Sequence, residues 1–271
     1  MVHRGAKAAD ADGAGSSGAV LASDAAAANL ARLPRAVLLP LGVWMALCGG
    51  TLYAFSAFEV ELMSRCHLSV RKLDAVYAAG QIGVGLGIVP GLLYDRFGAM
   101  AGCTYALVLM FAGNAGLYFA LAKDDPSAGM EPTPCAGSLW VLAGLYLALQ
   151  NGSVALYQAG LLSNQTAAPG SWQGTVVGIV AAGYGWSAAA FAQAYSIAFG
   201  GDLRAYLRGT GVIFALTAIF AAVAVPRLLA AVAAAESARR IGAVQDAPPT
   251  RRGGGYGRLQ EESDQASPPP C

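Results

Sequence analysis

Asp, Glu, Lys and Arg are absent from six long stretches of this chain, at 37–58, 75–94, 99–122, 139–163, 175–199 and 210–225. About 20 helical residues, at roughly 1.5 Å each, cover the hydrocarbon core of a bilayer, so each stretch is suited to one crossing. In hydrocarbon the backbone must find its hydrogen-bond partners within the protein. These stretches are continuously apolar rather than alternating over about ten residues, which points to helices and not to a barrel. A soluble helical bundle would keep a polar face along each helix. The whole chain is 56% hydrophobic and 12% charged, about half the charge of an ordinary soluble domain. The expectation is therefore an all-α integral membrane protein with six transmembrane helices.

The connections carry the charge, and their sign sets an orientation. With a cytoplasmic N-terminus, the inner segments hold Arg4, Lys7, Arg32, Arg35, Arg96, Arg227, Arg239, Arg240, Arg251, Arg252 and Arg258. The outer segments hold only Arg65, Arg71, Lys72, Lys123, Arg204 and Arg208. That excess predicts a multi-pass protein with both termini in the cytoplasm. Residues 1–34, rich in Ala, Gly and Ser, read as a disordered cytoplasmic tail. The membrane domain is placed at 35–230. Residues 231–271 read as a second cytoplasmic tail, helical at first and then disordered where Pro, Gly and charge accumulate. A cleaved signal is the minor alternative, since the first apolar run starts late and is long for one.

Other classes of function find little support. A net charge of +1 gives no basic surface for nucleic acid. His3 and His67 fall in a tail and a loop, and the spans hold no nucleophile-base pair, phosphate loop or metal spacing, so no enzyme activity and no cofactor are expected. Cys66 and Cys135 both fall in predicted outer loops; a disulfide between them is open, with unpaired cysteines as the default.

Inside the spans, the polar residues and glycines carry the information. Gly80, Gly83, Gly87 and Gly91 recur at steps of three, four and four. They lie along one face of span two and leave a groove for another helix; Gly174 and Gly178 repeat the pattern on span five. Pro90 predicts a kink near the inner end of span two. On span four, Tyr146, Gln150, Ser153 and Tyr157 form one stripe, with Asn151 and Gln158 about a quarter turn away. Tyr53 and Thr51 on span one, Gln81 on span two, Asn114 on span three and Tyr184 on span five add polar groups at membrane depth. Such groups are costly unless they face protein or water. The substrate-path candidates are Tyr53, Gln81, Tyr146, Gln150, Asn151, Ser153, Tyr157 and Tyr184, and the competing reading is plain helix-to-helix hydrogen bonding.

Between spans two and three the chain reads GLLYDRFGAM. Gly91, Leu93, Asp95, Arg96 and Gly98 resemble the G-x-L-x-D-R-x-G signature that the major facilitator superfamily carries at this turn. Ala99 and Met100 stand where that signature has its basic pair. The stretches GTLYAFSAFEVELMSR, NGSVALYQAGLLSNQ, GTVVGIVAAGYG and FGGDLRAYL are similar to the nodulin-like branch of that superfamily, which is also near the oxalate and formate antiporter-type carriers. The resemblance covers 38–227 and implies one six-helix half of a carrier working by alternating access. Spans one, two, four and five would then face the path, and Asp95 would act at the gate.

Span four lacks the Arg that some carriers place there. The superfamily uses two six-helix halves, so the resemblance implies either a missing second half or a second copy of this chain as partner. The expected activity is secondary or facilitated transport of a small organic solute, with monocarboxylates as a candidate class. The alternative is a membrane protein that transports nothing and docks a partner through its glycine-rich helix faces.

Overall fold

The sharpest local feature is Gly98, whose φ of 80° and ψ of −175° interrupt the helix Ile88–Leu121. Side chains strongly disfavour that backbone conformation, and glycine adopts it freely. The computed structural model describes residues 33–121 and 138–245, apart from the side chains of residues 52, 53 and 242–245. The elements are α1 (Leu33–Gly49), a 3₁₀ turn (Thr51–Ala54), α2 (Phe55–Arg65), α3 (Val70–Gly85), α4 (Ile88–Leu121), α5 (Leu139–Ala167), α6 (Gln173–Gln193), a π-helical turn (Ala194–Ala198) and α7 (Leu203–Gln245). Every regular element among the described residues is helical.

Neighbours along α5 give the direction of each helix. Gly80, Gly83 and Gly87 lie against Tyr146, Leu147 and Gln158 in turn, so α3 and the 88–97 limb of α4 run parallel to α5. Gly102, Gly113 and Gly116 lie against Ala159, Leu149 and Leu145, so the 99–121 limb runs antiparallel to it. Gly98 is therefore the point of a helical hairpin. By the same test α1 opposes α5, since Gly42 meets Gly160 and Gly49 meets Ser153. The α1–α2 arm runs alongside α6 and opposite to α7: Gly50 meets Ser187, Trp44 donates to Thr217 and Leu203 N donates to Glu61. Successive limbs of the bundle alternate in direction.

Helix α5 is the axis of the bundle. In its most apolar window 61% of residues are buried, against 22–28% for the other long helices. Small residues make this packing close. A Cβ on Gly152 would lie 2.7 Å from the Met110 nitrogen, and one on Gly83 would lie 2.4 Å from the Leu147 carbonyl oxygen. Close backbone approach is how helices gain dispersion energy when lipid and protein are equally apolar.

Four helical stretches, Val70–Leu121, Leu139–Ala167, Gly170–Ala198 and Leu203–Ile241, are long and apolar enough to cross a membrane, and Leu33–Gly49 is a shorter apolar helix. Their outward faces carry Ile82, Ile88, Phe111, Phe119, Trp186, Leu216 and Phe220 exposed. Such a surface suits lipid, and the architecture fits a membrane protein.

Several boundaries differ from the charge-free windows. The first stretch breaks at Gly50 and then continues as α2 to Arg65, because Glu61 and Arg65 pair one turn apart on its end. The break in span two falls at Leu86–Gly87, between α3 and α4, four residues before buried Pro90. This is where a proline ring crowds the carbonyl of residue i−4. Helix α7 runs from Leu203 through Gln245, well past 210–225. The tails at 1–32 and 246–271 and the loop holding Cys135 lie outside the described residues. Cys66 is disulfide-bonded, which corrects the unpaired default for that residue.

Charged groups clamp both ends of the bundle. At one end Glu61 accepts from the Tyr195 hydroxyl, from Leu203 N at 3.2 Å and from Arg65 at 2.6 Å. A carboxylate at the first turn of α7 also suits the positive end of the helix dipole. At the other end Arg35 pairs with Glu236 and donates to the Ala167 carbonyl at 2.7 Å, joining α1, α5 and α7.

Candidate functional site

Helix α5 is surrounded by other helices, and most of its polar stripe is buried among them. Tyr146, Gln150 and Ser153 point into the bundle and are 2%, 1% and 1% exposed. Ser153 shares a hydrogen bond of 3.1 Å with Thr51. Tyr157, one turn further on, is half-buried and stacks on Tyr184 of α6 with ring centres 4.4 Å apart.

Asn151 faces a different neighbour. Its amide donates to the Gly83 carbonyl at 2.8 Å, and its Oδ1 accepts from the Tyr105 hydroxyl at 2.5 Å. One side chain thus ties α3, α4 and α5 together, which is the structural use of a polar group in hydrocarbon. Gln81 stands exposed on α3 and donates to the Tyr77 hydroxyl at 2.7 Å. The Tyr53 side chain lies outside the described residues. Ser187 on α6 donates to the Gly50 carbonyl at 2.7 Å, seating α6 against the break that follows α1.

The glycine face of α3 and the first limb of α4 leads into an open groove of about 400 Å³, lined by Gly87, Gly91, Asp95, Gln158, Leu161 and Leu162. Gln158 lies across the glycines, with its Oε1 buried and without a hydrogen-bond partner. Asp95 and Arg96 are exposed at the hairpin, with the Arg96 guanidinium 5.7 Å from the centre of the Phe97 ring. Among the described residues neither takes part in an ion pair. Leu93 is half-buried beside them, and Tyr94 shares a 2.9 Å hydrogen bond with Ser163, holding this limb on α5.

Gly174 and Gly178 do not act as packing glycines in the bundle. A Cβ on either would meet nothing within 4 Å, because that side of α6 points away from the other helices. A second recess, of about 250 Å³, opens at the Arg35 end and is mainly apolar, with Leu38, Asn164, Pro169, Trp172 and Val176 around it. Asn164 is already engaged with the Leu38 and Gly160 carbonyls. No cluster of His, Cys, Asp and Glu suited to a metal occurs among the described residues.

Sequence reasoning passed over Glu61, which stands among apolar residues near the end of α2. The available signal was its spacing of four from Arg65 on one helix face. It also left Gln158 outside the path candidates, although only this member of the α5 polar set reaches the open groove. No family model matches this chain, and neither does any curated protein or solved structure.

Proposed function

We propose that the chain is a membrane carrier of a small organic solute that crosses the bilayer six times and moves its cargo by alternating access. The observation that carries this reading is the groove beside the Gly98 hairpin. It sets an amide with an unsatisfied oxygen, Gln158, and an exposed carboxylate, Asp95, into a helix face otherwise made of glycine, leucine and isoleucine. A face meant only for lipid has no use for either group.

The alternating helix directions and the resemblance of 91–98 to the major facilitator signature support the same reading. A second six-helix half, or a second copy of this chain, would cover the groove, and Asp95 and Arg96 are free to engage it. The excess of Lys and Arg on the hairpin side supports a cytoplasmic orientation for that side. A disulfide at Cys66, at the opposite end of α2, agrees with an oxidising compartment there.

The test is uptake of short-chain monocarboxylates by liposomes holding the full chain. The expected result is accumulation above empty liposomes that falls strongly in Gln158→Leu, with insertion unchanged. Absence of uptake above empty liposomes overturns the carrier reading for this chain. A second reading, a docking protein without transport, is favoured by the open glycines of α6 at Gly174, Gly178 and Gly185. It predicts crosslinking to a partner through cysteines placed at 174 or 178, with no uptake.

A further inference from the structure

The interior of the bundle contains polar atoms whose hydrogen-bonding capacity the protein leaves unfilled. Asn114 Nδ2 and Oδ1, Tyr146 Oη and Gln150 Oε1 are all buried without a hydrogen-bond partner. Their side chains are 3%, 2% and 1% exposed, and they line a single cavity together with Thr51, Tyr206 and Thr210. The Thr210 hydroxyl donates to the Tyr206 carbonyl at 2.7 Å, which leaves its lone pairs available. This cavity lies between the α1–α2 arm, the 99–121 limb, α5 and α7, apart from the open groove at Gln158.

Buried polar atoms in native proteins are nearly always paired, with protein or with ordered water. In a membrane bundle the penalty for leaving them bare is not relieved from outside. The size of the cavity decides what can pair with them. It offers about 20 Å³ to the centre of a water-sized guest. One water needs roughly 10 to 15 Å³ by that measure, and an organic solute needs far more.

The chemistry matches as well. Water donates two protons and accepts two hydrogen bonds, while the unpaired set offers two acceptors, Asn114 Oδ1 and Gln150 Oε1, and two donors, Asn114 Nδ2 and Tyr146 Oη. A bound cation matches poorly: no Asp or Glu lines the cavity, and a buried charge without a counter-charge is strongly unfavourable.

We infer that one ordered water occupies this cavity, bonded to Asn114, Tyr146 and Gln150, and that it joins α4 to α5 at the centre of the bundle. Immediately beside it the same two helices touch through Gly113 and Leu149, where a Cβ would come within 2.6 Å of the leucine.

The test is radiolytic hydroxyl-radical footprinting of the full chain in nanodiscs, read by mass spectrometry. Radicals form from bound water as well as bulk water, so a buried side chain beside an ordered water is oxidised. Phe191 is the internal reference, because it is 7% exposed and does not line the cavity. Tyr146 is expected to oxidise several-fold faster than Phe191, and to fall to its level in the double variant Asn114→Leu, Gln150→Leu. The first comparison is made within the unaltered chain and does not depend on how the variant folds. Tyr146 oxidising no faster than Phe191 overturns the proposal, since the cavity is then dry. A melting temperature that rises in sodium chloride relative to choline chloride, with the rise lost in Asn114→Leu, also overturns it in favour of a cation.

Discussion

The Asn151 side chain donates to the backbone carbonyl of Gly83 at 2.8 Å, where the α3 and α5 backbones meet with no side chain from Gly83 between them. The bond exists because Gly83 has no side chain to hold the two backbones apart. The same amide accepts from Tyr105 on α4, so three helices meet at one residue.

Asn151→Leu keeps a similar volume but leaves the Gly83 carbonyl and the Tyr105 hydroxyl without their partner. It is expected to lower stability by about 1 to 3 kcal/mol, the usual penalty for buried groups left unpaired. Tyr105→Phe removes one bond of the pair and should cost nearer 0.6 kcal/mol, the average for interhelical bonds in membranes. Unfolding of both variants in detergent micelles, ranked against the parent chain, checks the order.

The glycines of α3 and α6 should respond differently to the same change. Gly83→Ala puts a methyl group 2.4 Å from the Leu147 carbonyl oxygen, a contact that only helix displacement can relieve. A loss of about 1 to 3 kcal/mol follows from such overpacking. Gly174→Ala and Gly178→Ala meet open space and should leave the melting temperature of the isolated chain unchanged or slightly raised.

Gly98→Val forces a β-branched side chain into a backbone with φ of 80°. The expected cost is about 1 to 3 kcal/mol, and it falls on the hairpin between the 88–97 and 99–121 limbs. Cysteine crosslinking between those limbs, compared with the parent sequence, reports whether the hairpin opens.

Glu61 holds the end of α2 to the start of α7 through Leu203 N and to the π-helical turn through Tyr195. Glu61→Ala should cost about 0.5 to 2 kcal/mol, as expected for loss of a helix cap. Arg65→Met should cost less, because Arg65 is partly exposed and binds the other carboxylate oxygen. Thermal unfolding of the two variants and their combination separates the cap from the ion pair.

How far the sequence could be read depends on whether a feature obeys local or relative rules. The helical state of the charge-free stretches was legible because an unbroken apolar run must satisfy its backbone hydrogen bonds within itself. The reversal near DRFG and the break ahead of Pro90 were legible because glycine and proline act on their own turns of helix. The glycine face of α3 showed in its spacing, and it does lie against α5.

What the α5 residues face was not legible. Tyr146, Gln150, Ser153 and Tyr157 share one stripe by spacing, yet three are buried inside the bundle and the fourth stacks on α6. In water a helix shows its inner side by its apolar stripe. In hydrocarbon lipid and protein are equally apolar, so a central helix and a peripheral one can have the same composition. Gly83 and Gly178 look alike in sequence for the same reason, though only the first has a neighbour within 4 Å.

The sequence by itself thus determined that the chain is helical, apolar enough for a membrane, and turned at Gly98, since each of these follows from interactions within a few residues. Only the tertiary structure decided that α5 is the axis, that Gln158 reaches an open groove, and that Asn114, Tyr146 and Gln150 converge on one small cavity. Those relationships join residues far apart in the chain through packing contacts, and no local pattern encodes which contacts form.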